Sequence, residues 1–161
     1  MKRPFALILL LGLVLSTAPA REYKAMGPDI FDPRAKGEEL IATALTRTSR
    51  EDKRVLVLFG ANWCPWTRRL HKALSTDAGI LKILQRNFVL VYVDANTRND
   101  KKRNAAVMER YGDPLRFGIP VFVVLESDGA LLVTQETQSL VAVTDEEVAE
   151  RLGRFLSAWV R

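Results

Sequence analysis

Residues 55–59 read Val-Leu-Val-Leu-Phe, five apolar residues in a row with no polar position among them. A strand with one face in water alternates apolar and polar residues, whereas an unbroken run is what a strand buried on both faces of a parallel sheet shows. Such a strand needs helices above and below it, which restricts the chain to a layered α/β arrangement. Phe88 to Val93 supplies a second strand of the same kind.

The rest of the chain provides the layers. Leu40, Ile41, Ala44 and Leu45 recur at helical spacing and predict an amphipathic helix near 36–49, ended by the polar stretch Thr48 to Lys53. Trp66, Leu70, Ala73 and Leu74 share one face of a second helix, and a further helical pattern covers 77–86. Asn99 to Tyr111 reads as a helix that stops at Gly112, with Pro114 beyond it as a breaker. Val121 to Leu125 and Leu131 to Thr134 flank Asp128-Gly129, a hairpin signal. The last helix opens with Thr144 and Glu147 at capping-box spacing and carries Val148, Leu152, Phe155, Leu156 and Trp159 as one stripe. The predicted order is α-β-α-β-α-β-β-α, in which helical crossovers can join parallel strands and the tight turn makes an antiparallel hairpin at the sheet's end.

The chain has 161 residues, 48% hydrophobic and 27% charged, which fits one globular domain with a continuous core. Its first twenty residues stand apart. Lys2 and Arg3 precede the apolar run Phe5 to Leu15, and Ala18-Pro19-Ala20 places small residues before Arg21, so 1–20 reads as a secretory signal peptide. An uncleaved anchor is the rival, but the run is shorter than the roughly 20 apolar residues of a spanning helix. Residues 21–35, with Pro28 and Pro33, read as an irregular lead-in, and 36–161 as the folded domain. Removing the leader leaves 22 Lys and Arg against 19 Asp and Glu, a net charge of +3 rather than +5, too mild to imply nucleic acid. The cluster Lys101-Lys102-Arg103 reads as the solvated start of a helix, with an anionic-partner site as the lesser alternative.

Export normally goes with disulfides, yet Cys64 is the only cysteine. One thiol excludes an intramolecular disulfide and a cysteine-rich zinc site, and His71 as the sole histidine leaves no His/Cys cluster for a metal. The fold must stand on its core, and the lone thiol is open to oxidation or intermolecular pairing. Cys64 follows the first strand at an expected helix start, where unpaired N–H groups and the helix dipole favour an anion. Such placement brings cysteine pKa values to roughly 3.5–7.5 from about 8.5. Thr67, three residues on, either donates a hydrogen bond to that thiolate or is a local helix-terminal hydroxyl. Trp66 lies on the apolar face, where it serves equally well as core. His71 lies two helical turns from Cys64, too far for a close base.

Several separated stretches carry a resemblance in the right order: Phe31-Asp32-Pro33, Phe59-Gly60-Ala61-Asn62-Trp63-Cys64, Tyr111-Gly112-Asp113-Pro114-Leu115, and Gly118-Ile119-Pro120 before the hairpin. Across 31–161 the chain resembles the thioredoxin superfamily, and more narrowly the exported bacterial thioredoxin-like proteins. The resemblance implies a thioredoxin-like mixed sheet with helices on both faces, and a secreted protein of the bacterial periplasm. In that superfamily the first cysteine of Cys-x-x-Cys attacks a disulfide and the second resolves the mixed disulfide. Cys64 matches the attacking position, and Thr67 occupies the resolving one. Leu58 stands where many thioredoxins place a buried acid. Pro120 matches the cis-proline that faces the cysteine, with Ile119 offering backbone groups to an extended peptide, which favours protein partners. Trp63, Pro65 and Trp66 complete the implied substrate-binding set, Trp63 bordering the groove.

A thiolate at Cys64 can attack a partner's disulfide, but a hydroxyl at Thr67 cannot become a sulfur leaving group, so release needs a partner thiol or an external one such as glutathione. No bound cofactor is expected. The pattern suits isomerisation, thiol-assisted reduction or covalent capture through Cys64. A non-catalytic peptide- or protein-binding module is the alternative. A glutathione-dependent monothiol oxidoreductase comes third: Cys64-Pro65-Trp66 follows the glutaredoxin order, but Gly118-Ile119 departs from the Thr-Val that commonly precedes glutaredoxin's cis-proline.

Overall fold

The central strand β1 (Arg54–Gly60) is the apolar run with which the sequence begins to make sense, and six of its seven residues are buried. In the computed structural model, which describes residues 22–161, it lies in a four-stranded sheet of order β2-β1-β3-β4, with β2 at Phe88–Asp94, β3 at Val121–Leu125 and β4 at Leu131–Glu136. The expected signal peptide lies outside the described residues. Among those residues no helix is long and apolar enough to cross a membrane.

β1 runs parallel to β2, from Arg54 opposite Phe88 to Gly60 opposite Asp94, but antiparallel to β3, with Phe59 opposite Val121. The two connections differ in helical content. The chain between β1 and β2 holds α2 (Pro65–Thr76) and α3 (Ala78–Asn87), enough to return across the sheet. The chain between β2 and β3 holds α4 (Ala105–Arg110), about 9 Å of helix against a strand of roughly 23 Å, and two 3-10 turns, and β3 starts at the end of the sheet where β2 finishes. Gly60, Asp94 and Val121 are thereby gathered at the same end of the sheet.

Alternate strand residues point to opposite faces. Leu56, Leu58, Phe122 and Val124 join Leu70, Leu74, Ile80, Leu152 and Leu156 of α2, α3 and α5 (Asp145–Ala158) in one core. Val55, Val57, Phe59, Val91 and Val123 join Ile41 and Ala44 of α1 (Gly37–Glu51) and Val107 and Met108 of α4 in the other. The sheet therefore has helices on both faces. The helix starts follow capping chemistry: Asp77 accepts from the Ile80 N–H at 2.9 Å and Thr144 from the Glu147 N–H at 3.2 Å. Gly129 closes the β3–β4 turn with φ +89°, a value glycine adopts without a Cβ penalty.

One predicted helix is shorter than its pattern. Instead of running from Asn99, α4 starts at Ala105, after a 3-10 turn at Arg98–Asp100. Asn99, Asp100 and Asn104 all take left-handed φ near +57°, which short polar side chains tolerate and a helix interior excludes. Asn104 is held there by tertiary bonds: its Oδ1 accepts from the Gly37 N–H at 2.7 Å and its Nδ2 donates to the Asp94 carbonyl at 2.9 Å. The basic cluster beside it is not a uniformly solvated face. Lys102 is exposed, but Arg103 donates to Glu22 at 2.7 Å and to Asp94 at 2.6 Å, and Lys101 also pairs with Glu22.

Candidate functional site

β1 ends at Gly60 and α2 begins at Pro65, so Ala61 to Cys64 form the turn that delivers the thiol to the end of the sheet. Pro65 takes the first helical position, where its missing N–H costs nothing, and Cys64 is the N-cap residue with extended backbone (φ −87°, ψ 117°). Cys64 is a free thiol, 3% exposed, and its Sγ donates to the Ile119 carbonyl oxygen at 3.7 Å. The Ile119–Pro120 peptide beyond that carbonyl is cis. Thr137 fixes the same segment from β4's end by donating Oγ1 to the Pro120 carbonyl at 2.6 Å.

Thr67 is fully buried, and its Oγ1 has no hydrogen-bond partner. Spacing along α2 predicts a bond to Cys64 as one option, but Cys64 is not a helical residue and its sulfur turns to Ile119. The Thr67 side chain packs instead over the end of β1. A Cβ on Gly60 would lie 2.8 Å from Thr67 Cγ2, 3.0 Å from its Oγ1 and 2.7 Å from Phe31 Cζ, so this position has room only for glycine. Leu58, where the resemblance lacks an acid, is a fully buried core residue opposite Phe122.

The two flanking tryptophans take different places. Trp63 is half-buried and clamped: its Nε1 donates to Asn96 Oδ1 at 2.9 Å, and the Arg98 guanidinium stacks 3.6 Å from its ring. Trp66 is 49% exposed and, rather than filling the core, lines an open groove of about 270 Å³ with Phe117, Ile119, Pro120, Gln138 and Val141. Trp63 is not in that lining. Pro65 is exposed beside it.

Two buried polar residues hold this arrangement and escape a reading of the sequence. Asn62 accepts from the N–H groups of Ile30 (2.8 Å) and Phe31 (3.0 Å) and donates to the Phe31 carbonyl (2.9 Å), fastening the lead-in against the cysteine turn. Asn96 accepts from Trp63, takes its own N–H to Asp94 at 3.0 Å, and donates to the Tyr23 hydroxyl at 3.1 Å. Burial pushes the Asp94 carboxyl up, opposed by the Arg103 guanidinium. The signal for Asn62 lay in its position, a polar residue between a buried strand and the thiol.

His71 stays away from the sulfur, as its spacing requires. Its Nδ1 lies 3.1 Å from the Tyr92 hydroxyl; burial, with Arg68 nearby, lowers its pKa, and burial pushes Tyr92 up to about 12. Among the described residues no group of three or more His, Cys, Asp or Glu side chains is placed to hold a metal ion. The site offers one buried sulfur, the Ile119 carbonyl that it bonds and, beside them, an open groove of mixed polar and apolar lining.

The fold and this site define a thioredoxin-like protein, and sequence comparison agrees: residues 41–140 match the family model described as a thioredoxin-like domain. The chain belongs to that family. It is similar to the disulphide isomerase of Xylella fastidiosa Temecula1, with 29% identity and a TM-score of 0.69 over 81% of this chain and 96% of that one. It is also similar in fold to the oxidised C-terminal domain of Neisseria meningitidis DsbD, with 23% identity and a TM-score of 0.53 over 77% of this chain and 96% of that one. No curated protein sequence matches it significantly.

Proposed function

We propose that this is an exported, periplasmic monothiol protein that engages protein disulfides or thiols through Cys64 by thiol–disulfide exchange. The carrying observation is the 3.7 Å contact of the one thiol with the carbonyl of Ile119, a residue that also lines the open groove. The Cys64 thiolate attacks one sulfur of the partner's disulfide; the new S–S bond forms as the old one breaks, and the partner's other sulfur leaves as a thiolate. With Thr67 in the resolving position, a second thiolate from the partner or from an external thiol such as glutathione must break the mixed disulfide. Isomerisation, thiol-assisted reduction and covalent capture share this step. The disulphide isomerase it resembles supports the reading.

Incubating the purified protein with a disulfide-bonded substrate and trapping with acid should yield a covalent complex that dithiothreitol dissolves and that Cys64→Ser abolishes. Equal complex formation or turnover by Cys64→Ser would overturn it. The 3% exposure of Cys64 favours a second reading, a module that holds peptides in the groove without exchange. Under that reading Cys64→Ser leaves partner binding under reducing conditions unchanged and no covalent complex forms.

A further inference from the structure

Two exposed arginines border the Cys64 site, and each is stacked on an aromatic ring. Arg98 lies 3.6 Å from the Trp63 ring, on one side of the sulfur, and Arg116 lies 4.8 Å from the ring of Phe117, a wall of the groove. Stacking uses the flat face of a guanidinium and leaves its in-plane N–H groups free for a carboxylate. Arg116 gives one of these to the Gly112 carbonyl. Neither arginine forms an ion pair among the described residues, although Asp100 and Asp113 lie close in sequence, and residues 1–21 contain no Asp or Glu to supply one. Of the other cations nearby, Arg69 and Lys72 pair with Asp145, Lys101 and Arg103 with Glu22 and Asp94, and Arg68 bonds the carbonyls of Asn62 and Pro28, while Lys102 is exposed with no aromatic ring beneath it among the described residues. Two large apolar side chains of the groove wall are exposed beside them, Trp66 by 49% and Phe117 by 46%.

We infer that the segment this site selects is an acidic one: a partner cysteine beside an apolar or aromatic residue, with Asp or Glu on both sides reaching Arg98 and Arg116. This deepens the exchange reading and rests on it. The aromatic platforms hold each guanidinium in place before the partner arrives, so less side-chain freedom is lost on pairing than at an ordinary surface arginine.

The test uses three extended peptides, each with one cysteine joined by a disulfide to 5-thio-2-nitrobenzoate, an aromatic neighbour, and Glu, Gln or Lys at the flanking positions. Attack by Cys64 on the peptide sulfur forms the mixed disulfide and expels the coloured thiolate, whose release gives the rate. Each rate is divided by that of the same peptide with 2-mercaptoethanol, which removes the peptide's own reactivity. The Glu peptide should react about fivefold or more faster than the Lys peptide at low salt, with Gln between, and the order should flatten near 1 M salt, where the Debye length is about 3 Å. The double variant Arg98→Gln/Arg116→Gln should flatten it at low salt. Equal normalised rates for the three peptides, or an order the double variant leaves intact, overturns the inference and leaves exchange standing. No release from any peptide while 2-mercaptoethanol reacts overturns both.

Discussion

Thr67 carries a stability cost at its hydroxyl. Its Oγ1 is buried without a partner, and an unpaired buried hydroxyl costs about 1–3 kcal/mol. Thr67→Val keeps the shape and removes the penalty, so it should raise stability by about 1 kcal/mol, read as a higher denaturant midpoint at unchanged m. A loss of stability instead would mean that the hydroxyl finds a partner. Asn62 is the opposite case. Asn62→Ala strips the partners from three backbone groups of Ile30 and Phe31 and should cost about 3 kcal/mol or more, measurable by the same unfolding assay. The identities and spacing of Cys64, Thr67 and Pro120 were legible in the sequence because they lie in short motifs. The parts played by Trp63 and Trp66 were not. What clamps one and uncovers the other comes from Asn96, Arg98 and Phe117, more than 30 residues away, and helical spacing carries no record of such neighbours.

Among the elements, the strands were the easiest to read, since β1 and β2 are unbroken apolar runs and β3 and β4 flank a recognisable Asp-Gly turn. α4 was the hardest. Its apparent first six residues, 99–104, include three left-handed ones, and the tertiary bonds of Asn104 that hold one of them cannot be inferred from local pattern. The antiparallel pairing of β1 with β3 goes with a β2–β3 connection that returns to the end of the sheet it left. α5 behaves as its sequence announces. Its cap is local, so Thr144→Ala should destabilise the protein by about 1 kcal/mol and leave exchange at Cys64 intact, checked by thermal unfolding beside a peptide-thiol assay.

At the scale of the whole molecule, the sheet has two ends with different tasks. One gathers Cys64, Ile119 and the fastened lead-in. At the other, Arg54 donates to the carbonyls of Trp159 and Val160 and pairs with Glu126, while Arg161 pairs with Glu126 and Asp52. The Arg161 guanidinium and the Ser127 N–H hold the Glu126 carboxyl down to about 2, below its usual 4.5. A depressed carboxyl contributes stability above pH 4.5 that is lost as pH falls through 2. The side chain is still 26% exposed, and solvent screening limits the contribution to about 1 kcal/mol or less. Urea midpoints taken from pH 6 to pH 2 for wild type and Glu126→Gln should differ at the upper end and converge at the lower.

That arginine knot also bears on how the protein can be handled. β1 separates it from the cysteine turn by roughly 20 Å of strand. A fluorophore or affinity handle placed at the exposed Asp52 would therefore report on the chain without crowding the thiol.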